Sequence, residues 1–341
     1  MPKNKNKSTK FPFVSVCTPT FNRKPFVNMM IKCFESQTYP KNKIEWLILD
    51  DGTDKIEELV KHVPQVKYFK YEEKMTLGKK RNILNDNAKG DIIVYMDDDD
   101  YYPPERISHA VETLQNSPAL CAGSSALLIY FKHINKMYQF GPYSPNHATA
   151  ATFAFKKELL RQTRFNEMSS VAEEKQFLKD YTIPFVQLDS RKSILVFSHE
   201  HNSFDKKELL AQMPNPTIHD SLIVPSDLVK DPEILKFFIE DIDNLLKNYE
   251  PGRVEHKKDV TKQLQEIKAT REKMAKEHQQ KMQQDNQSNV QNALNQQNLI
   301  IQQLKFENDT HIKRIEYLEK KITEIIQDKI KEKTANNGNI C

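Results

Sequence analysis

Residues 97–100 are four consecutive aspartates that follow directly after the apolar run of residues 92–96. Carboxylates packed this closely repel each other, so a buried strand that ends in them needs a compensating charge. Carboxylate oxygens are hard ligands suited to Mg²⁺ or Mn²⁺, and Mg²⁺ is usually held by one or two carboxylates together with substrate phosphates. The run therefore predicts a divalent cation with a diphosphate as its third partner, and the alternative is a solvated acidic loop.

Two more polar clusters end apolar runs, TPTFNR at residues 18–23 and DDGTD at residues 50–54. The elements that position all three clusters read as strands alternating with helices, with strands at 13–20, 44–51, 66–71 and 91–98 and helices at 24–40, 53–63 and 77–88. This alternation predicts a mostly parallel sheet with helices on both faces. Ligands of open α/β sheets bind outside the carboxyl ends of the strands, so the three clusters should form one site.

Later segments are harder to assign. Residues 119–131 and 136–143 are each expected to form a strand, and the two strands should be antiparallel. Changes of composition divide the whole chain into five segments: a disordered basic tail (1–10), an α/β domain (11–205), a Pro-punctuated linker with an amphipathic helix packing on that domain (206–253), a long helix or coiled coil (254–335) and a disordered tail (336–341).

The fourth segment carries a heptad seam. Its positions alternate in steps of three and four: Leu294, Gln297, Ile301, Leu304, Asn308, His311, Ile315, Leu318, Ile322, Ile325 and Lys329. This spacing is typical of a coiled coil, and an asparagine at a seam position favours a defined register in a parallel dimer. We therefore expect the segment to mediate homo-oligomerisation or contact with a partner protein, and the alternative is a long solvated helix.

Bulk properties exclude several classes of protein. The net charge of the 341 residues is +4, which gives no general case for nucleic-acid binding. The four cysteines form no Cys-x-x-Cys pair, so a reducing compartment is expected. No signal sequence is apparent, and no apolar run approaches the roughly 20 residues of a membrane span. These observations predict a cytoplasmic protein, or a viral factory or virion protein if the source is a large DNA virus.

Four stretches together point to a known family. VSVCTPTFNR (14–23), WLILDDGTD (46–54), LGKKRN (77–82) and GDIIVYMDDDDYYPPERI (90–107) resemble, in order and spacing, the successive motifs of family 2 glycosyltransferases. The resemblance covers roughly residues 11–205. It implies the GT-A nucleotide-diphospho-sugar transferase fold, a Rossmann-like mixed sheet with helices on both faces. A helical or coiled-coil C-terminal region would follow it.

The resemblance also implies which residues bind the nucleotide. Pro19, Thr20 and Phe21 would line the base pocket, and Asp51 would hydrogen-bond the base, usually uracil. Arg81 matches the basic residue that reaches the nucleotide. For its neighbours Lys79 and Lys80, a solvated helix face is expected, and Trp46 is expected in the core.

The aspartate run matches the D-x-D signature of the family, with Asp97 and Asp99 as its acids. By this resemblance Asp97 or Asp98 would bind the ribose or the sugar, and Asp99, with Asp97, would bind Mn²⁺ or Mg²⁺. A histidine after a later strand supplies a metal or diphosphate contact in some enzymes with this fold. His201 is preferred here over His199, while Asp100 is expected to be a turn residue.

A general base is expected in the stretch FNEMSSVAEEKQF (165–177), which resembles the family segment that carries it. Glu174 stands where the family commonly has an Asp, with Glu173 before it. Such a base deprotonates the acceptor hydroxyl, which then attacks the anomeric carbon. The alternative for both glutamates is a pair of exposed helix acids.

The resulting hypothesis is a metal-dependent, inverting hexosyl- or N-acetylhexosaminyltransferase that uses a nucleotide-diphosphate sugar, most simply UDP-linked, and a soluble glycan or protein acceptor. One alternative is a nucleotidyltransferase that makes nucleotide sugars, although the first strand lacks the Gly-rich loop such enzymes usually carry. Another is a non-catalytic scaffold in which the C-terminal helix makes the contacts.

Overall fold

The computed structural model describes residues 11–211 and 213–337, which fall into two compact units. The first unit ends at Glu266 and the second begins at Ile267. The predicted tail at 1–10 and the last four residues lie outside the described part of the chain. The sequence analysis placed a boundary at 253, whereas this division falls thirteen residues later, within the final helix.

The first unit is built on a seven-stranded mixed sheet. Its strands are β1 (Val14–Thr20), β2 (Ile44–Asp50), β3 (Val66–Lys70), β4 (Ile92–Tyr95), β5 (Cys121–Gly123), β8 (Ala154–Lys156) and β9 (Phe185–Gln187). They lie in the order β3-β2-β1-β4-β8-β5-β9. The first four are parallel, and β8 is antiparallel to both of its neighbours.

A four-stranded sheet accompanies it. Its strands are β6 (Leu127–Phe131), β7 (Lys136–Phe140), β10 (Leu195–Ser198) and β11 (Ile218–Asp220), in the order β10-β6-β7-β11. The antiparallel pairing predicted for the segments at 119–131 and 136–143 is confirmed for β6 and β7. His199 and His201 follow directly after β10.

Helices connect these strands. Their bounds are α1 (Val27–Glu35), α2 (Glu57–Val60), α3 (Leu77–Asn87), α4 (Arg106–Gln115), α5 (Glu174–Phe177), α6 (Lys207–Leu210), α7 (Pro225–Leu228), α8 (Pro232–Lys236), α9 (Ile242–Lys247) and α10 (Lys258–Asn337). A π-helical turn, Phe237–Asp241, joins α8 to α9 and completes the amphipathic helix predicted at 231–249. None of the helices in the described residues is long and apolar enough to cross a bilayer.

Alternate residues of the central strands enter two different cores. One core contains Val14, Val16, Trp46, Ile48, Ile92 and Val94, and the other contains Cys17, Leu47, Leu49, Ile93 and Tyr95. Because successive side chains of a strand point to opposite faces, both faces of the sheet are covered. Trp46 is buried and stacks on Phe34 with ring centroids 4.2 Å apart, which confirms it as a core residue. This is the mixed α/β architecture that the sequence analysis predicted.

Two expected elements differ from the structure. The single strand predicted at 119–131 is broken at residues 124–126, which divides it between the two sheets as β5 and β6. The helix predicted at 53–63 is only α2, and the residues before it form a bend whose amides are bound by side chains. Asn22 Oδ1 accepts from the amides of residues 53 and 54, and Asp50 Oδ2 accepts from the amide of residue 56.

The final helix, α10, runs for 80 residues, and its two parts differ in burial. Within the first unit Val260 is 6% exposed, and Asp259 forms an ion pair with Lys74. In the second unit every residue from 268 to 333 is exposed, including the apolar seam residues. The first turns therefore belong to the packed unit, whereas the rest of the helix has no core of its own.

Truncation should separate these two parts. Removing residues 267–341 should leave the melting temperature nearly unchanged, because residues 268–333 are all exposed. Removing residues 254–341 should lower it by roughly 5 °C, since burying a valine contributes about 1.5–3 kcal/mol and the Lys74 ion pair is also lost. Calorimetric melting of the two truncated chains beside the full chain tests this, and equal melting temperatures for both would contradict it.

Candidate functional site

The three polar clusters meet at one edge of the seven-stranded sheet. The strand β1 lies between β2 and β4 and is parallel to both, so their carboxyl ends face the same way. A cleft of about 140 Å³ opens at this edge. Residues of the clusters after β1 and β4 line it together with residues of other segments, among them Pro19, Phe21, Arg23, Lys80, Arg81, Asp97, Asp98, Asp99, Ser170, Lys257 and Asp259. The cluster after β2 does not line it, but Asp51 contacts the cleft residue Lys80.

Each aspartate of the cluster at the end of β4 has a different environment. Arg23 donates to Asp99 Oδ2 at 3.0 Å, and its Nε lies 3.5 Å from Asp98 Oδ1. Asp97 Oδ1 lies 3.7 Å from Arg81 Nη2 and has no hydrogen-bond partner, although it is buried. Asp100 accepts the amide of residue 197 at 3.1 Å and so ties the cluster to β10. The first three carboxylates face the cleft, while Asp100 is used within the fold.

The pKa values of two neighbouring carboxyl groups in the cluster, Asp98 and Asp99, are shifted in opposite directions. Burial, and then the charge of Asp99, raises the pKa of Asp98 to about 7. Burial would also raise the pKa of Asp99, but the charge of Arg23 and the hydrogen bond with His199 outweigh it and hold the pKa well below its usual value. Asp99 is therefore ionised and carries the negative charge of the cluster near neutral pH, whereas Asp98 is close to its midpoint.

Asp51, the residue expected to bind a base, is buried and fully engaged in this structure. Its Oδ1 accepts from Lys80 Nζ at 2.8 Å, and its Oδ2 accepts the amide of Met75 at 2.6 Å. Lys80 also donates to the carbonyl of Thr20 at 3.1 Å. The solvated position expected for Lys80 is therefore wrong, because this lysine is buried as the counter-ion of Asp51, whereas Lys79 is exposed as expected.

The remaining residues expected at the nucleotide surround the same cleft. Pro19 and Phe21 line it, and the ammonium of Lys74 lies 5.3 Å from the centre of the Phe21 ring. Thr20 is buried, and its hydroxyl has no hydrogen-bond partner. Arg81 is buried over the Tyr95 ring, 4.3 Å from the ring centre. The cleft is therefore lined by an aromatic ring, that of Phe21, next to the cations Lys74 and Arg81.

Arg81 connects the cleft to the glutamate pair. Its Nε donates to Glu173 Oε1 at 2.8 Å, and both side chains are buried. Glu174 is partly buried, and its carboxylate accepts its own backbone amide. Burial, and then the charge of Glu173, raises the pKa of Glu174 to about 7. The two acids are thus distinct, because Glu173 is committed to an ion pair while Glu174 can exchange a proton near neutral pH.

The two histidines after β10 are placed differently from the sequence expectation. His199 Nε2 lies 3.4 Å from Asp99 Oδ2, whereas His201 Nε2 lies 3.8 Å from Glu200. The carbonyl of His201 accepts from Arg23 Nη2 at 2.9 Å. The geometry therefore favours His199 over His201 as the histidine beside the aspartates. Burial lowers the pKa of His199 to about 4, so its imidazole is neutral.

A divalent cation fits part of this arrangement. Asp97 has a buried oxygen without a hydrogen-bond partner, Asp99 is ionised, and the imidazole of His199 is neutral, with its Nε2 2.8 Å from Asn202 Nδ2. Across residues 11–211 and 213–337, however, no three such side chains are grouped as a preformed metal site. Two carboxylates without a complete cage are what a cation shared with substrate phosphates requires. The donor set is therefore compatible with Mg²⁺ or Mn²⁺ bound together with a diphosphate.

Two basic residues of the cleft, Arg23 and Lys257, have no role in the family resemblance. Arg23 follows β1 within TPTFNR, and only its contacts with Asp98 and Asp99 reveal its position. Lys257 precedes α10 and lies in no motif, yet it is buried against the same cleft. The position of Arg23 just after the end of β1 is a local signal that could have predicted its place in the cleft. No local pattern indicates Lys257.

Comparison with known proteins supports the family resemblance. Residues 15–166 match the model of the family described as Glycosyl transferase family 2. The chain is 27% identical over 134 residues to poly(ribitol-phosphate) β-N-acetylglucosaminyltransferase TarS of Staphylococcus aureus. This alignment covers 36% of this chain and 21% of that protein. It is 28% identical over 179 residues to GalNAc(5)-diNAcBac-PP-undecaprenol β-1,3-glucosyltransferase of Campylobacter jejuni, covering 46% of this chain and 55% of that one.

Among solved structures, a mannosyltransferase of Pyrobaculum calidifontis in complex with GDP-Man and Mn²⁺ aligns with a TM-score of 0.45 and 17% identity, covering 55% of this chain and 58% of that one. The chain thus spans about a fifth to a half of the length of the two curated relatives. The family match covers β1 to β8, the segment that carries Arg23, Asp51, Arg81 and the aspartate cluster. This part of the chain, with its mixed α/β sheet, therefore matches glycosyl transferase family 2 over residues 15–166.

Proposed function

We propose that this protein is a metal-dependent, inverting glycosyltransferase that takes a hexosyl or N-acetylhexosaminyl group from a nucleotide-diphosphate donor. The observation that carries the proposal is a cleft lined by Arg81 and Asp97–Asp99 of the family-matched segment, with Asp51 bound to Lys80 and Met75 of the same cleft. Two of the relatives are named as a glucosyltransferase and an N-acetylglucosaminyltransferase, which favours these sugars and a UDP-linked donor.

In this proposal the nucleotide binds along the end of β1. Pro19, Thr20 and Phe21 contact the base, and Asp51 turns from Lys80 to hydrogen-bond it. Arg81 and one of Asp97 and Asp98 hold the ribose and sugar. Asp99, with Asp97 and His199, holds Mn²⁺ or Mg²⁺, which when bound offsets the charge that develops on the departing diphosphate.

The group transfer itself is assigned to Glu174. Its carboxylate removes the proton of an acceptor hydroxyl, whose oxygen forms a bond to the anomeric carbon from the face opposite the diphosphate. The bond between that carbon and the phosphate oxygen breaks, and its electron pair leaves with the nucleoside diphosphate. Glu173 is not assigned this role because its carboxylate is engaged in a buried ion pair with Arg81. The acceptor is proposed to be a hydroxyl of a soluble glycan or a protein.

We further propose that the second unit pairs with a second copy of this chain. Its seam residues are apolar and exposed, for example Ile301, Leu304 and Ile315 at 48%, 58% and 55%. A parallel coiled coil would bury them and set its register at Asn308. A non-catalytic scaffold would require only the contacts of this helix. A transferase would also require a functional cleft.

The first experiment is a donor panel. Purified full chain with Mn²⁺ is incubated with UDP-glucose, UDP-GlcNAc, UDP-galactose, UDP-GalNAc, GDP-mannose or dTDP-rhamnose, and released nucleoside diphosphate is measured. We expect slow, metal-dependent hydrolysis of one donor even without an acceptor. No release from any donor, with no binding of UDP or GDP by calorimetry, would contradict the proposed function and favour the scaffold.

Asp99→Asn should lower the rate of donor hydrolysis by about 10²-fold or more while leaving the melting temperature within a few degrees. Removing this ionised carboxylate takes away a ligand of the proposed cation, and losing electrostatic stabilisation of a departing group typically costs about 10²–10³ in rate. Asp86→Asn, an exposed aspartate paired with Arg164, is the matched control and should not change the rate. Equal rates for the unmutated chain and Asp99→Asn would remove Asp99 from the mechanism.

The reaction should become faster as the pH rises through about 7. A general base acts when deprotonated, and burial with the charge of Glu173 raises the pKa of Glu174 to about 7, so protonation below this pH should slow transfer. Glu174→Gln should reduce kcat by about 10²- to 10⁴-fold and abolish this acid limb, while the Kd for UDP stays within a few-fold. Glu158→Gln, an exposed acid on another short helix, is the control. An acid limb that survives in Glu174→Gln would assign the base elsewhere.

Light scattering tests the second unit. The full chain should have twice its monomer mass of 39.9 kDa, and Leu304→Asp at the seam should return it to a monomer by placing charge in the interface. Gln302→Asp, off the seam, should not. A monomeric unmutated chain at micromolar concentration would contradict the dimer.

A further inference from the structure

A segment outside the family match forms one wall of the cleft. We name residues 250–263 the strap. Asn22 Nδ2 donates to the carbonyl of Pro251 at 2.9 Å at one end of the strap, and Gln263 Oε1 accepts the amide of Ser170 at 2.8 Å at the other. Between them Asp259 accepts from both Lys74 and the Ser170 hydroxyl. The strap is therefore fixed to loops on both sides of the cleft.

Lys257 is the charged residue that the strap buries. It is 4% exposed and donates to two neutral oxygens, the hydroxyl of Ser203 at 3.1 Å and the carbonyl of His201 at 3.4 Å. Neutral acceptors recover only part of the free energy lost when an ammonium leaves water, so this position disfavours the charge it carries.

The surroundings of Lys257 suit an anion. Arg23 and Lys80 both act on it as like charges, and all three cations line the same cleft. Asp98 and Asp99 lie close enough to offset part of this repulsion, but both form ion pairs with Arg23, and Asp51 is paired with Lys80, so none of these acids is an ion-pair partner of Lys257. A ligand that brings two further negative charges would reduce the repulsion among the cations. It would also give the buried ammonium of Lys257 a charged partner in addition to its two neutral ones.

We propose that Lys257, together with Arg23, binds the diphosphate of the donor, so that a residue of the strap completes the donor site of the family domain. This assignment rests on the proposed function, which supplies the diphosphate. It differs from the sequence expectation, in which residues from 254 onward serve only the long helix. Lys257 would hold the phosphates in the bound state and, as the sugar leaves, stabilise the nucleoside diphosphate that is released.

Calorimetry on the full chain with Mn²⁺ tests the assignment, using UDP, GDP, UMP and GMP as ligands. Lys257→Gln removes the charge but keeps a hydrogen-bond donor, and Lys258→Gln removes the neighbouring exposed cation as a matched control. We expect Lys257→Gln to raise the Kd of the diphosphate that binds by about 10-fold or more, as is typical for a charged hydrogen bond, and the Kd of its monophosphate much less. Lys258→Gln should change neither.

The outcomes separate the two proposals. If the unmutated chain binds none of the four nucleotides, the proposed function fails and the assignment of Lys257 fails with it. If it binds UDP or GDP but Lys257→Gln weakens diphosphate and monophosphate equally, or neither, only the assignment is overturned. The cleft of about 140 Å³ is smaller than the roughly 300–1,000 Å³ of most ligand sites. Tighter binding by Lys257→Gln would therefore mean that the strap obstructs the donor, and would also overturn the assignment.

A second measurement does not depend on the folding of a variant. A crystal structure of the unmutated chain with Mn²⁺ and the diphosphate that binds should place Lys257 Nζ within about 3.5 Å of a phosphate oxygen. If the ammonium remains on Ser203 and the carbonyl of His201, with the phosphates elsewhere, Lys257 is a structural residue of the strap and the assignment is wrong.

Discussion

Four carboxylates in sequence at the end of a buried strand repel each other, and much of the surrounding structure serves to compensate that repulsion. Arg23 lies against Asp98 and Asp99, Arg81 faces Asp97, and a backbone amide of β10 is bound by Asp100. These partners come from separate segments of the chain. The position of the acidic cluster thus fixes where the turn after β1, the helix α3 and the strand β10 must lie.

Some acidic groups of the site lack a full complement of partners, and this leaves them able to bind a cation or to exchange a proton. Asp97 retains a buried oxygen without a partner, the pKa of Asp98 is raised to about 7, and Glu174 has a raised pKa as well. A structure selected only for stability would pair these groups, since each unpaired buried acid costs free energy. Groups that can change their protonation or gain a cation near neutral pH are typical of active sites.

The family-matched domain does not enclose its cleft alone. Residues 15–166 supply the sheet edge and the acids, whereas Glu173, His199 and Lys257 come from beyond the match. The last of these lies immediately before an 80-residue helix whose later part is exposed along its length. Any movement that loosens the strap would alter the cleft, because Asp259 and Gln263 of the same helix are tied to its rim.

The sequence by itself determined the features that depend on local pattern. The alternation of strands and helices, the three strand-end clusters at one sheet edge and the core position of Trp46 all follow from the spacing of apolar and polar residues, and the structure has each of them. Even the family domain could be identified from four short stretches, because its motifs lie next to the strands that position them.

Only the tertiary structure decided which charges meet. Lys80 was expected in solvent and is buried on Asp51, His199 rather than His201 reaches Asp99, and Lys257 enters a cleft more than 150 residues away in sequence. The segment at 119–131 is split between two sheets for the same reason. A side chain's burial and its partners are set by residues brought together from distant parts of the chain, and no periodicity within a single element records them.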